Sequence, residues 1–467
     1  MSEVESLYAK SEKIYPREVK GRFQRLRTIT VYGLLGLYYI MPFIQWHGRQ
    51  AVLFDLPARK FHIFFLTFWP QDFFFLSVML IMAGVLLFFV TSIAGRVWCG
   101  YACPQTVWTE AFIWMERWVE GSRAKQMKLT NQPWTLEKIR KRVLKQFLWL
   151  SFALFTGLVF VGYFVPIREL IPDFFNFNLS GWALFWVLFY SFATYGNAGF
   201  LREQVCMYMC PYARFQSAMF DKDTLVVAYD EKRGEPRVRG KKRKQEDSAK
   251  AGGDCIDCGL CVQVCPTGID IRDGLQYECI ACAACVDVCD EVMAKVDLPL
   301  GLISYSTEAQ STGETKSLKQ TLLRPRVLIY GFILFSIFSA WVVALSLRSN
   351  FRVDILRDRN AMYRVTSENQ IENTYQIKLM NKSHVEQRYQ VTVEGIETAQ
   401  VNWGTSQPNG LSQPVLSGQL ETFSLVVSAP AADVSARAET ISLKFIETQG
   451  ESHDTLVEQT RFWGPSN

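Results

Sequence analysis

The residues best equipped for chemistry are twelve cysteines, all between Cys99 and Cys289 of a 467-residue chain. Eight form a doubled run. Cys255-Ile-Asp-Cys258-Gly-Leu-Cys261-Val-Gln-Val-Cys265-Pro266 has the spacing C-x2-C-x2-C-x3-C-P, and it recurs as Cys279-Ile-Ala-Cys282-Ala-Ala-Cys285-Val-Asp-Val-Cys289. In such runs each close trio wraps one face of a [4Fe–4S] cubane, and the fourth cysteine crosses to the other cluster. The spacing assigns Cys255, Cys258, Cys261 and Cys289 to a first cluster. It assigns Cys279, Cys282, Cys285 and Cys265 to a second. The small residues Gly259, Ala281, Ala283 and Ala284 let backbone amides approach the sulfurs and tune the potential. Paired structural zinc sites are the rival, because C-x2-C pairs bind zinc too. The doubled order of eight favours one-electron transfer. Asp290 follows Cys289 where a second proline is usual, which leaves the ligand count intact.

The other four cysteines make a second pattern. Cys99-Gly-Tyr101-Ala-Cys103-Pro104 and Cys206-Met-Tyr208-Met-Cys210-Pro211 are both C-x-Y-x-C-P, and Arg96 and Arg202 precede them. At i and i+4 each thiol pair would share a helix face. Each motif could equally be a loop that leads into a short helix, since proline is tolerated in a first turn. Four soft ligands, with Met207 and Met209 beside them, suit Cu(I) or another thiophilic metal. A redox-active dithiol and small packing residues are the alternatives.

These motifs need elements to hold them. Hydrophobic residues make up 49% of the chain and charged residues 20%, yet mean hydropathy is only +0.05. That combination excludes a disordered chain and fits membrane segments averaged with polar domains. Five apolar stretches reach the ~20 residues needed to span a bilayer: Thr28–Gly48, Phe73–Gly95, Phe147–Ile167, Trp182–Leu201 and Val327–Leu347. The first is too long and starts too late for a cleavable signal peptide. With the N terminus inside, alternate segments hold 35 Lys and Arg inside against 15 outside. The positive-inside rule therefore predicts a cytoplasmic N terminus and an outer C terminus, periplasmic in a Gram-negative cell. All twelve cysteines then lie at the cytoplasmic face, where thiols stay reduced. The two C-x-Y-x-C-P motifs each end a helical hairpin, which is an internal repeat whose halves would bring the motifs together.

The domain reading follows: an N-terminal segment 1–27, a four-helix membrane domain 28–215, a basic linker 216–254, a ferredoxin domain 255–300, a connector 301–326, a fifth span 327–347 and a tail 350–467. The Lys- and Arg-rich part of the linker reads as solvated, or as a contact with anionic headgroups. It has no aromatic or fold motif for nucleic acid. The tail alternates apolar and polar residues between turns at Asn381-Lys-Ser, Glu394-Gly and Pro408-Asn-Gly, which reads as an antiparallel β-sandwich. His47 and His62 fall in an outer loop and His384 and His453 in the tail, so no histidine pair offers a haem site within the helices. No phosphate-binding glycine loop or hydrolase triad stands out.

The order of parts resembles the CcoG family, also called FixG or RdxA, of cytochrome c oxidase accessory proteins. The resemblance rests on Trp98-Cys-Gly-Tyr-Ala-Cys-Pro-Gln-Thr-Val-Trp108, Cys206-x3-Cys210-Pro-Tyr-Ala-Arg-Phe215, the ferredoxin run and Gly301-Leu-Ile-Ser-Tyr-Ser-Thr-Glu308. Cys-Asp after the second run is familiar in that family. The fold implied is a mixed membrane protein with five transmembrane α-helices (two hairpins plus one), a cytoplasmic bacterial-type 2[4Fe–4S] ferredoxin domain and a C-terminal all-β Ig-like sandwich. The function implied is assembly of a high-affinity haem–copper oxidase by reduction of Cu(II) to Cu(I). Electrons would run from an unidentified donor through the clusters to copper near Cys99, Cys103, Cys206 and Cys210. Expected partners are membrane lipid, copper, and oxidase subunits or copper chaperones. A general electron-transfer subunit linked to a quinol or ferredoxin pool, and a non-enzymatic scaffold, are the alternatives.

Overall fold

The computed structural model describes residues 13–237, 252–312, 320, 323–358, 361–383, 385–403, 412, 414–434, 437–448 and 454–465. His384, His453, Pro408-Asn-Gly and most of the basic run lie outside the described residues. The chain divides into two units, Met1–Trp341 and Val342–Asn467.

In the first unit, helix α1 spans Arg22–Ile40. It starts inside the basic segment and stops short of Gly48, so the expected helix over 28–48 is corrected at both ends. Pro42, which has no N–H to continue the ladder, lies in a 3₁₀ turn at Met41–Phe43. Two small antiparallel sheets follow over residues 45–68. Helix α2 (Phe73–Ala94) closes at Gly95, whose φ of +52° is left-handed. Then come α3 (Val97–Tyr101), α4 (Pro104–Glu120), α5 (Arg123–Asn131), α6 (Leu136–Val161) and α7 (Ile167–Phe175). Helix α8 (Gly181–Thr194) runs on as a π-helical segment, Tyr195–Leu201. Gly157 lets α6 meet α8 closely, because a Cβ there would sit 2.3 Å from Ser191 Oγ.

Three helices among the described residues are long and apolar enough to cross a membrane: Pro70–Ala94, Leu136–Val161 and Pro325–Ser346. The arginines at the start of α1 and the change from α to π winding after Thr194 keep the other two stretches below that measure.

The cysteine runs lie in a small domain closed by a strand pair. Val226–Tyr229 pairs antiparallel with Ile303–Ser306, with Val226 opposite Ser306. Segments 216–254 and 301–326, expected as linker and connector, each supply one of these strands, so the cluster domain is wider than 255–300. The reason is burial: Val227, Tyr229 and Ile303 pack with Ile271, Val286, Met293 and Leu302 around the cysteine loops.

The second unit is a two-sheet β-sandwich. One sheet holds Phe351–Arg357, Arg364–Val365, Gln370–Asn381, Gln400–Trp403 and Leu420–Pro430. The other holds Tyr389–Glu394, Ala438–Glu447 and Thr455–Trp463. Ile371, Tyr375, Ile377 and Leu379 point inward at the period of two expected of a strand, against Phe351, Tyr389, Phe445 and Phe462.

Candidate iron–sulfur and thiol site

The two cysteine runs fold alike. In the first, Asp257 and Gly259 take φ of +49° and +66°; in the second, the matching Ala281 and Ala283 take +53° and +58°. A non-glycine residue in this region is strained by about 1–2 kcal/mol, and the same departure in both loops shows a common constraint. Each loop curls around a cavity. Cys255, Cys258, Cys261 and Cys289 line one, with Ile256, Gly259 and Met293. Cys265, Cys279, Cys282 and Cys285 line the other, together with Cys261, Ala283 and Ala284. Cys289 thus lies in the cavity of the first run and Cys265 in that of the second.

The chemistry of the two sets fits a cubane. Burial, and then the neighbouring thiols Cys261, Cys258 and Cys255, push the Cys289 thiol up to about 12. Burial likewise raises Cys279 to about 12. Four thiolates around one cavity need a cationic core among them, which iron supplies. The Ala281 N–H points at Cys279 Sγ at 3.4 Å, and Cys265 Sγ lies 3.3 Å from Thr267 Oγ1. Asp290 has a structural task instead of the missing proline: its Oδ1 accepts from the Gly301 N–H at 2.9 Å.

The two C-x-Y-x-C-P motifs also fold alike. Cys99 sits in α3, and Cys103 is extended at the N-cap of α4 with Pro104 in its first turn. Cys206 sits in a π-helical turn, Val205–Met209, and Cys210 is extended ahead of α9 (Pro211–Ala218). The Cys103 N–H donates to the Trp98 carbonyl at 2.9 Å and the Cys210 N–H to that of Val205 at 2.8 Å, the same turn in each half. The thiols therefore do not lie along one regular helix face; the loop-to-helix alternative is the one that forms. The halves bring all four together. Burial comes first in raising Cys206 to about 12, followed by the charges of Cys103, Cys99 and Cys210. Burial raises Cys99 to about 11 against the lowering effect of Arg96. Cys99 Sγ donates to Gln216 Oε1 at 3.2 Å, and Gln216 is fully buried. Met207 is half-buried, whereas Met209 is 60% exposed. Among the described residues no three Cys, His, Asp or Glu are grouped tightly enough for a single metal ion, and this holds for all three thiol sets.

The first motif packs on the second cysteine loop. A Cβ on Gly100 would lie 2.7 Å from the Ile280 carbonyl oxygen and 2.9 Å from Cys282 Cα. Tyr101 Oη donates to the Cys282 carbonyl at 3.5 Å and pairs with Tyr305 Oη at 3.3 Å, while Tyr305 donates to the Ala281 carbonyl. Arg96 donates to the Tyr277 carbonyl. In the second motif Met207 stands where Gly100 does, and Tyr208 is 73% exposed.

A set of buried ion pairs escaped the sequence reading. Glu110, Glu116 and Glu120 on α4 are all buried. Arg27 meets Glu110 at 2.8 Å, Arg202 meets Glu116 at 2.7 Å, and Lys145 meets Glu120 at 2.9 Å. Burial opposes the charge on Glu116, yet Arg202, Lys13 and Lys145 hold its carboxyl down at about 2. The available signal was three glutamates spaced along a helix rich in Trp and Phe. Asp287, between Cys285 and Cys289, was also missed. It accepts from the Phe23 and Gln24 N–H groups at 3.1 and 2.7 Å and so caps α1.

Three family models match: a 4Fe-4S dicluster domain over residues 201–308, a 4Fe-4S binding domain over 74–122, and the Ig-like fold at the C terminus of FixG over 341–465. The chain is 45% identical to protein RdxB of Cereibacter sphaeroides, over 84% of each chain. It is 38% identical to nitrogen fixation protein FixG of Rhizobium meliloti, over 98% of this chain and 93% of that one. The chain belongs to the FixG/RdxA family. Protein RdxA of C. sphaeroides is 37% identical over 91% of each chain. FixG/RdxA membership with these matches makes the chain an iron–sulfur protein of electron-transfer type, which removes the zinc rival. Its apolar helices and family make it a membrane protein.

Proposed function

We propose that this FixG/RdxA-type protein is a membrane-bound oxidoreductase that assists assembly of a high-affinity haem–copper cytochrome c oxidase by reducing Cu(II) to Cu(I). The observation that carries the reading is the packing of Gly100 and Tyr101 on the Ile280–Cys282 loop, which joins a soft-sulfur site to a cluster site. Bound clusters supply single electrons, and Cu(II) needs one. The four thiols offer the soft face that favours Cu(I) over Cu(II) as product. Arg96, through the Tyr277 carbonyl, and Tyr101, through Tyr305, hold the two parts together. In this reading five helices cross a bacterial inner membrane, the N terminus and all thiols are cytoplasmic, and the sandwich is periplasmic and docks oxidase subunits or a copper chaperone. The ratio of 35 to 15 basic residues supports that orientation.

The test uses full-length protein in detergent, reduced anaerobically, with Cu(II) added and Cu(I) trapped by a chromogenic chelator. Formation of Cu(I) in step with cluster reoxidation, slowed in Cys99→Ser/Cys206→Ser protein, is the expected result. Clusters that stay reduced in the presence of Cu(II) would point instead to a carrier serving another acceptor. An oxidase that assembles normally with every cluster cysteine replaced would point to a scaffold.

A further inference from the structure

The eight cysteines of the doubled run fill two complete ligand sets, and neither cavity needs a ninth. Residues 74–122 nevertheless match a second 4Fe-4S binding domain, and that stretch contains only two cysteines, Cys99 and Cys103. Two thiolates cannot hold a cubane, which takes four. The fold supplies the missing pair from the other half of the repeat: Cys99 Sγ donates to Gln216 Oε1 on the helix that follows Cys210, and Gln105, two residues beyond Cys103, donates to the Asn197 and Arg202 carbonyls ahead of Cys206. We propose that Cys99, Cys103, Cys206 and Cys210 together hold a third [4Fe–4S] cluster at the seam between the two halves.

Electrostatics favours a cluster over a resident copper ion. All four thiols are buried or half-buried. Four thiolates around a [4Fe–4S]2+ core leave roughly two net negative charges; around a single Cu(I) they leave roughly three. Arg96 Nε donates to the same Gln216 oxygen that Cys99 Sγ meets, and with so little positive charge beside the thiols the smaller residual charge is the less costly to bury. Its place is also that of a relay. Gly100 and Tyr101, within the first motif, touch the loop that carries Cys279 and Cys282. The order along the protein is then the Cys255 set, the Cys279 set and the seam set. With all four thiols bound to iron, copper would be a substrate reduced from outside by the seam cluster, and the electron path of the proposed function is kept while the thiols no longer ligate copper. The inference rests on the iron–sulfur reading and not on cupric reduction, which is tested separately by Cu(I) formation.

The experiment is a metal and sulfide count on full-length protein, reconstituted to saturation with iron and sulfide under anaerobic conditions and then desalted. About 12 iron and 12 sulfide per chain are expected. Cys99→Ser/Cys206→Ser protein should fall by one third, with the EPR signals of the two ferredoxin-like clusters retained. A wild-type ratio of about 8 would overturn the proposal, whether the seam thiols then take up copper in a titration or stay empty. The wild-type ratio decides the matter even where the double variant fails to accumulate.

Discussion

Gly100 and Cys282 stand backbone to backbone: a methyl group on Gly100 would come 2.9 Å from Cys282 Cα and closer still to the Ile280 oxygen. No side chain fits between the first membrane-edge motif and the second cysteine loop. Gly100→Val should push the loop away while leaving all cluster ligands in place. The expected outcome is an unchanged iron content with electron delivery to Cu(II) slowed at least tenfold, read by stopped-flow absorbance of the clusters. An unchanged rate would show that electrons leave elsewhere.

Asp287 fixes the same domain to the membrane part by capping α1. Replacing a capping aspartate with alanine costs about 0.5–2 kcal/mol. Asp287→Ala should speed hydrogen exchange at the Phe23 and Gln24 amides by several-fold, and Asp287→Asn, which keeps one acceptor oxygen, should restore most of the protection.

Glu116→Gln would leave Arg202 and Lys145 buried without their shared carboxylate. Breaking a buried pair by removing one partner costs about 3–5 kcal/mol, so the thermal midpoint in detergent should drop well below that of wild type. The pH dependence has a definite sign. The carboxyl is held at about 2, below its ordinary 4.5. Its stabilising effect is therefore full at neutral pH and fades only as pH falls from the ordinary carboxylate range toward 2. The gap between wild type and Glu116→Gln should stay constant from pH 7 to about pH 5.5 and narrow at lower pH.

Met209 faces outward although it lies one residue from Cys210. Met209→Leu should leave iron content and Cu(II) reduction unchanged. A lowered Cu(I) yield would show that its sulfur takes part.

The iron–sulfur character of the doubled run was legible in the sequence because ligand spacing is set by the size of what is held. The placing of Cys265 and Cys289 in each other's cavities follows from eight positions alone, and the equivalence of the two C-x-Y-x-C-P motifs from twelve residues. The sandwich was legible through its period of two. The strand pair around the cysteine runs was not, since Val226 and Ser306 are far apart in the chain and each strand is only four residues long. The glutamates of α4 read as surface charges until their partners, which come from α1, α6 and the second motif, are folded against them. Helix α1 was misplaced because hydropathy cannot see a helix that begins among arginines and ends at a proline.

The cap on α1 has a consequence in time. Asp287 lies 264 residues beyond the amide it receives from Phe23. During synthesis, α1 is made long before its cap exists, and it must wait with open amides until the cysteine loops have been translated. Asp287 sits between Cys285 and Cys289 on one helix, Ala284–Lys295, so the first helix of the chain is completed only after the second cysteine run has been made.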